Sequence, residues 1–314
     1  MLRIGTRGSP LALWQAHHVA DLLRRHHGIE SKLVRIRTAG DRLQSWSVAQ
    51  ISEQIGWQSG AKGVFIKELE EALLAGSIDA AVHSMKDVPT EIPDGLGIAA
   101  IMRREDSRDC LISRSGRALK YLPAGARIGT SSLRRQAQLR HFRPDLQPVD
   151  LRGNVDTRLK KLDAGEFDGV VLAMAGVNRL GVSNRITQVL DSEIMLPAVG
   201  QGALGVEIRR HDTETAKLVE VLDDMETRFC LAAEAALLRE LQGGCQIPLG
   251  ALARLANDEL QLEAAVFSAD GQDFVRRSLR APYSEAQEAG KRLGQILLKA
   301  GADRILRLTG RATD

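Results

Sequence analysis

The sequence predicts an α/β protein of three domains, two of them α/β and the last a smaller α+β domain. Three observations predict it. A chain of 314 residues is long for one hydrophobic core and comfortable for two or three. Strand and helix signals alternate from Leu2 to Ala173, the pattern of largely parallel sheets. After Thr213 the composition turns Ala/Leu/Glu-rich and helical, and strand signals return only later.

The elements follow in order. Residues 2–6 read as a short strand, and Ser9-Pro10 opens a helix, because proline suits a first helical turn. Leu13, Trp14, Val19, Leu22 and Leu23 give that helix an apolar face up to Gly28. Lys32–Thr38 alternates as a strand, Phe65–Leu74 is helical and stopped by Gly76, and Ile78–Met85 reads as a buried strand. The pattern restarts near Asp109. Cys110–Ser113 and Arg127–Gly129 read as strands, Ser131–Phe142 as a helix and Gln147–Leu151 as extended chain. Asn154–Ala164 is again helical and Gly169–Ala173 an apolar strand. The Gly-rich segment Pro197–Ile208 is extended and suited to carry the chain back to the first domain. One long helical region is expected from Thr213 to Leu241, ending at Gly243-Gly244. Two strands, Ala251–Leu255 and Leu260–Phe267, a turn at Asp270-Gly271 and a helix over Ser284–Leu298 complete the chain. The expected domains are 1–102 with 200–218, then 103–199, then 219–314.

Composition narrows the function. Hydrophobic residues make up 44% and charged residues 26% of the chain, ordinary values for a globular protein. The N-terminal stretch lacks a signal peptide's apolar core and cleavage site, and no segment has the length of a membrane span. Three cysteines, Cys110, Cys230 and Cys245, show neither metal-ligand spacing nor an even disulfide count. The expected compartment is therefore the reducing cytoplasm. A net charge of +3 is too small to argue for nucleic acid, and 4% aromatic residues offer few stacking platforms. Arg greatly outnumbers Lys and recurs beside Gly and Ser, which points to an anionic partner held by planar guanidinium forks.

Four segments carry the candidate chemistry. Gly129-Thr130-Ser131-Ser132-Leu133-Arg134-Arg135 joins a strand to a helix. It reads equally as an anion cradle of backbone N–H groups, hydroxyls and arginines or as a capped helix with a solvated basic face. Its spacing is not that of a P-loop. Leu151-Arg152-Gly153-Asn154 ends another strand at a helix start, with Asn154 as cap and Arg158 one turn on. Arg179 follows a third such strand, and ligands of open α/β sheets bind beyond the carboxyl ends of strands. In Ala81–Pro89, Asp87 reads as a carboxylate that stabilises a cation or moves a proton; an ion pair with Lys86 or a turn cap is the plainer reading. Cys245 lies in a Gly-Gly-Cys-Gln-Ile-Pro loop, and a lone loop cysteine is more often incidental than covalently active. Cys110 and Cys230 sit in apolar patterns and read as inert core residues.

Taken together, the motifs resemble one family. IGTRGSPLALWQA at 4–16, KGVFIKELEEALL at 62–74, AVHSMKDVP at 81–89, GTSSLRRQ at 129–136, LRGNVDTRL at 151–159, LPAVGQGALG at 196–205 and GGCQIP at 243–248 are similar to segments of the porphobilinogen deaminases, in the family's order. The resemblance implies two domains like those of periplasmic binding proteins around a cleft, and a third domain carrying a cysteine loop. It implies a dipyrromethane cofactor joined by a thioether to Cys245, porphobilinogen as substrate, no metal and a monomer. Each porphobilinogen loses its amino group to give a reactive methylene-pyrrolenine, and four rounds and a hydrolysis release hydroxymethylbilane. Asp87 is implied as the catalytic carboxylate. Arg7, Ser9, Lys62, Lys86, Thr130, Ser131, Ser132, Arg134, Arg135, Arg152, Gly153, Arg158, Arg179 and Gln201 are implied to bind cofactor or substrate, with Arg3 a further candidate of that kind.

One region departs from the family pattern. Residues 42–61 run longer than usual through SWSVAQISEQIGWQSGA, in what resembles a lid, and Ala61 and Gln58 stand where a Gly and a Lys are often found. A non-catalytic two-lobed anion-binding protein is the main rival reading, and it would leave Cys245 dispensable.

Overall fold

The computed structural model describes residues 1–38, 66–241, 247–257 and 259–311. The chain divides into two compact units, residues 1–105 with 203–228 and residues 106–202 with 229–314.

The first unit is built on a five-stranded sheet. Strand β1 (Leu2–Thr6) leads into helix α1 (Pro10–His27), whose Ser9 cap accepts a hydrogen bond from the Ala12 N–H; such a cap is worth about 1 kcal/mol. Strand β2 (Ser31–Arg35) follows, then helix α2 (Lys67–Leu74), β3 (Ala80–Ser84) and β4 (Leu96–Ile101). The second unit begins with β5 (Asp109–Ser113) and β6 (Arg127–Gly129), then helix α3 (Leu133–Phe142) and β7 (Gln147–Val149). Helix α4 (Val155–Asp163), β8 (Gly169–Ala173), the short helix α5 (Met174–Arg179) and β9 (Gln188–Leu190) complete its sheet. Strand β10 (Leu204–Arg209) belongs to the first unit and lies antiparallel between β3 and β4.

The two sheets have strand orders β2-β1-β3-β10-β4 and β7-β6-β8-β5-β9. In each, three neighbouring strands run parallel and the fourth runs antiparallel to its neighbours on both sides. Both faces of the first sheet are covered. Leu2, Ile4, Val82 and Val206 pack with Ala16, Val19 and Leu23 of α1, while Ala81 and Leu96 pack with Leu69 and Leu73 of α2. Strands buried on both faces read as nearly continuous apolar runs, and this is why β3, β8 and β10 stand out in the sequence.

The remainder departs from expectation in two ways. The single helix expected over 213–241 is two, α6 (Thr213–Glu220) and α7 (Met225–Glu240). Asp223 accepts from the Ile101 N–H at 2.6 Å and Asp224 caps α7 through the Thr227 N–H at 2.8 Å, so the two carboxylates serve a turn rather than a helix interior. The C-terminal sheet has three strands rather than two: β11 (Leu249–Ala256), β12 (Glu259–Phe267) and β13 (Phe274–Pro282), all antiparallel. Helices α8 (Ala286–Leu297) and α9 (Asp303–Arg311) follow. Within the second unit, Leu252, Ala265 and Phe267 of this sheet pack on Ala137 of α3 and on Leu196. Among the described residues no helix is long and apolar enough to cross a membrane.

Candidate active site

Because β1 and β3 are parallel neighbours, their carboxyl ends lie on one edge of the first sheet. Arg7 and Ser9 follow β1; Lys86 and Asp87 follow β3 in a tight turn, Met85–Asp87. Ser9 spends its oxygen on the α1 cap, at 3.3 Å from the Ala12 N–H. Asp87 is half-buried, and among the described residues none donates a hydrogen bond to its carboxylate. It is therefore neither a turn cap nor the closed end of an ion pair with Lys86. Arg3 does not join this edge: it grips Asp79 through two side-chain bonds and its own N–H, near the opposite end of β1. That pairing directs its guanidinium to Asp79.

Behind this edge lies a buried pair that sequence reasoning missed. His83 Nε2 on β3 is 2.8 Å from Glu207 Oε2 on β10. Glu70 on α2 is close enough to feel both: burial and the Glu207 charge push its carboxyl up to about 7, against the pull of His83.

In the second unit three parallel strands, in the order β7-β6-β8, bring their carboxyl ends to one edge. The loop after β6 is stitched by its own hydroxyls. Thr130 is fully buried and its Oγ1 accepts from the Ser132 N–H at 3.3 Å. Ser132 caps α3, and Ser131 Oγ accepts from the Leu151 N–H at 3.0 Å. Gln136 ties the two loops together by donating to the Thr130 carbonyl at 2.9 Å and to Asp150 at 3.0 Å. The loop that carries Arg152 is thereby fixed to the loop after β6. Gly153 has φ +112, and a β-carbon there would collide with Thr157 at 2.7 Å, so only glycine fits. Asn154 caps α4 through the Thr157 N–H at 2.9 Å, and Arg158 Nε returns to the Gly153 carbonyl at 2.8 Å. Arg179, at the end of α5, donates to the Gly202 carbonyl at 2.7 Å.

Arg134 and Arg135 do not form the solvated basic face that is one of the two readings of this segment. Both are buried and converge on Asp109, which is fully buried at the start of β5. Arg134 reaches Oδ2 at 2.7 Å, and Arg135 reaches Oδ1 at 3.1 and 2.6 Å. Gln201 adds its amide to the same Oδ1 at 3.0 Å. Burial alone would raise the pKa of Asp109, but the two guanidinium charges and their hydrogen bonds hold it well below the usual carboxylate range. Two guanidiniums against one carboxylate leave one positive charge in excess behind the strand ends. The neighbouring Cys110 thiol is pushed up to about 12, first by burial and then by the Asp109 charge, so it is inert at neutral pH. Cys230 is likewise a buried free cysteine.

Lys62, the lid segment 42–61 and Cys245 lie outside the described residues. Among the described residues no cluster of His, Cys, Asp and Glu could hold a metal ion.

Comparison with known proteins gives consistent matches. Residues 2–217 match the family model described as porphobilinogen deaminase, dipyromethane cofactor binding domain, and residues 228–299 match the porphobilinogen deaminase C-terminal domain. The porphobilinogen deaminase of Pelobacter propionicus is 48% identical over 306 residues, covering 97% of this chain and 96% of that one. That of Chlorobaculum tepidum is 50% identical over 309 residues, with 97% and 96% covered. Among solved structures, the methionine-binding protein MetQ matches at 14% identity and a TM-score of 0.42, over 70% of this chain and 89% of that one.

Proposed function

The chain belongs to the porphobilinogen deaminase family, and on that premise we propose how its own residues carry the family's reaction. The activity is the head-to-tail condensation of four porphobilinogen molecules on a dipyrromethane cofactor, with loss of ammonia and release of hydroxymethylbilane for tetrapyrrole synthesis. The observation that carries the residue assignments is the edge of the second sheet. Three parallel strands end there. Arg152 follows β7, Arg158 lies one turn into the next helix and Arg179 ends the short helix after β8. Behind them Arg134 and Arg135 exceed Asp109 in charge.

A dipyrromethane bears acetate and propionate arms, and this donor set fits them. The N-termini of α3 and α4 offer backbone N–H groups and partial positive charge. Gly153 lets the chain approach closely where a β-carbon would intrude. Ser131, Ser132, Arg152 and Arg158 would hold the arms of the cofactor, while Arg7, Ser9, Lys62, Lys86 and Arg179 meet cofactor or substrate carboxylates. Thr130, Arg134, Arg135 and Gln201 act from behind, by fixing the loop and supplying charge. Cys245 would hold the cofactor through a thioether, and the bound group would offer a free pyrrole α-carbon as the nucleophile.

Asp87 is the catalytic carboxylate. The C–N bond of the protonated porphobilinogen aminomethyl arm breaks, the nitrogen leaves as ammonia and the methylene stays on the ring, and the positive charge that develops there needs an anion close by. Asp87 is suited to this because no described residue has neutralised it, and its oxygens can also accept from pyrrole N–H groups. The setting is a monomer in the cytoplasm.

The test is intact mass. Protein incubated with porphobilinogen should gain two linked pyrrole units on the peptide containing Cys245, and Cys245→Ser should gain none. A wild-type chain that stays unmodified and does not consume porphobilinogen would refute the assignment.

A further inference from the structure

The buried pair of His83 and Glu207 has no part in the roles assigned to the two sheet edges. The register of β3 and β10 sets Glu207 opposite Ala81 and Gly205 opposite His83, so the two polar side chains meet diagonally on the face covered by α2. The same face carries the buried Leu69, Leu73, Ile78 and Ala81, and the side chains of Glu207 and His83 are 2% and 4% exposed. Removing an imidazole and a carboxylate from water into such surroundings is costly unless each satisfies the other.

The same stretch of β10 fastens the chain just beyond His83. The Met85 N–H donates to the Ala203 carbonyl at 3.0 Å. The Met85 sulfur fills the space that a side chain at Gly205 would need. The turn Met85–Asp87 therefore leaves a strand end held to residues 203–207 at three points, and the Glu207–His83 contact is the one hydrogen bond among them between two side chains.

We infer that Glu207 is a positioning residue for Asp87: by holding His83 it fixes the end of β3 from which the Asp87 carboxylate is presented. The inference rests on the catalytic role proposed for Asp87. Glu70 on α2 is in keeping with this, its carboxyl raised first by burial and then by Glu207. The hydrogen-bond partner of the Glu207 carboxylate is His83.

The experiment uses the cofactor-loaded enzyme. Loading is measured by intact mass, and kcat and KM for porphobilinogen are then read per loaded molecule. Glu207→Leu leaves His83 without its acceptor and should lower kcat about 10-fold or more while KM moves less than about 3-fold, since small misplacement of a reacting group is costly. Glu207→Gln still offers an oxygen to Nε2 and should recover to within about 3-fold of wild type. Glu207→Asp keeps the charge but draws the acceptor back by one methylene, and it covers the case in which the Leu variant fails to fold; its kcat should fall about 3- to 10-fold. Wild-type kcat per loaded molecule in the Asp variant, or in a folded Leu variant, overturns the inference, even where stability or loading drops. A wild-type enzyme inert toward porphobilinogen would instead overturn the proposed function.

Discussion

The two five-stranded sheets share one plan and differ in the charge behind the carboxyl ends of their parallel strands. Each places a buried carboxylate on its antiparallel inner strand, Glu207 on β10 and Asp109 on β5. Glu207 meets one imidazole, whereas Asp109 meets two guanidiniums and an amide. Guanidiniums stay charged at every physiological pH, so the second sheet keeps a permanent positive excess suited to holding carboxylates. An imidazole–carboxylate pair carries no such fixed excess, and the first sheet presents a carboxylate with no described partner, Asp87. On the proposed function, one scaffold yields an edge for anions and an edge for a developing cation, and the difference lies in a handful of side chains.

The comparison breaks first at Asp109. Asp109→Ala strands Arg134 and Arg135 in the interior, and losing one partner of a buried ion cluster costs about 3–5 kcal/mol. Urea unfolding should show this as a large drop in the midpoint. An unchanged midpoint would mean that the arginines find other acceptors and that Asp109 is not their anchor. Asp87→Ala should do the reverse. Stability should stay within about 0.5 kcal/mol of wild type, because no described bond is lost, while kcat falls about 10²- to 10³-fold. Steady-state turnover on loaded enzyme is the check, and near-normal rates would remove Asp87 from the chemistry.

How much of this arrangement is legible in the sequence depends on how local each signal is. Parallel strands buried on both faces and helices with Ser or Asn caps are local signals, and β1, α1, β6, α3 and α4 lie close to where periodicity places them. Strand β13 escapes sequence reading because its residues alternate only weakly and are mostly solvent-facing, with charge at Arg276, Arg277 and Arg280. Helix α5, six residues long, is too short to show a period. At the site, the caps at Ser132 and Asn154 and the glycine at 153 are legible from residue type and spacing. The buried pairs are legible only by half. A His in AAVHS and a Glu in LGVEIR each stand in an apolar strand and so require a partner. The partner of His83 lies 124 residues away, and the Asp109 partners lie 25 and 26 residues away. Sequence order holds no trace of those distances; the return of β10 to the first sheet creates the first of them.

The smallest expected effect sharpens the comparison through pH. Glu70 has its carboxyl raised to about 7, by burial first and the Glu207 charge second. Between the ordinary carboxylate range and about 7, the folded first unit therefore holds more protons than the unfolded chain, and stability falls as pH rises through that window. Asp109 has the opposite shift: its contribution is present above the ordinary carboxylate range and is lost only in acid, so it adds no slope near neutrality. Any slope between pH 5 and 8 from these buried carboxylates belongs to the first unit. Glu70→Gln removes it. Because Glu70 is partly open to water, solvent screening cuts the effect to about 1 kcal/mol, or ~2 °C in Tm. Thermal unfolding of both proteins at pH 5 and pH 8 is the check. The curves should coincide at pH 5 and the Gln variant should melt higher at pH 8. A constant offset at both pH values would show that Glu70 does not titrate in this window and that the first edge is no more pH-sensitive than the second.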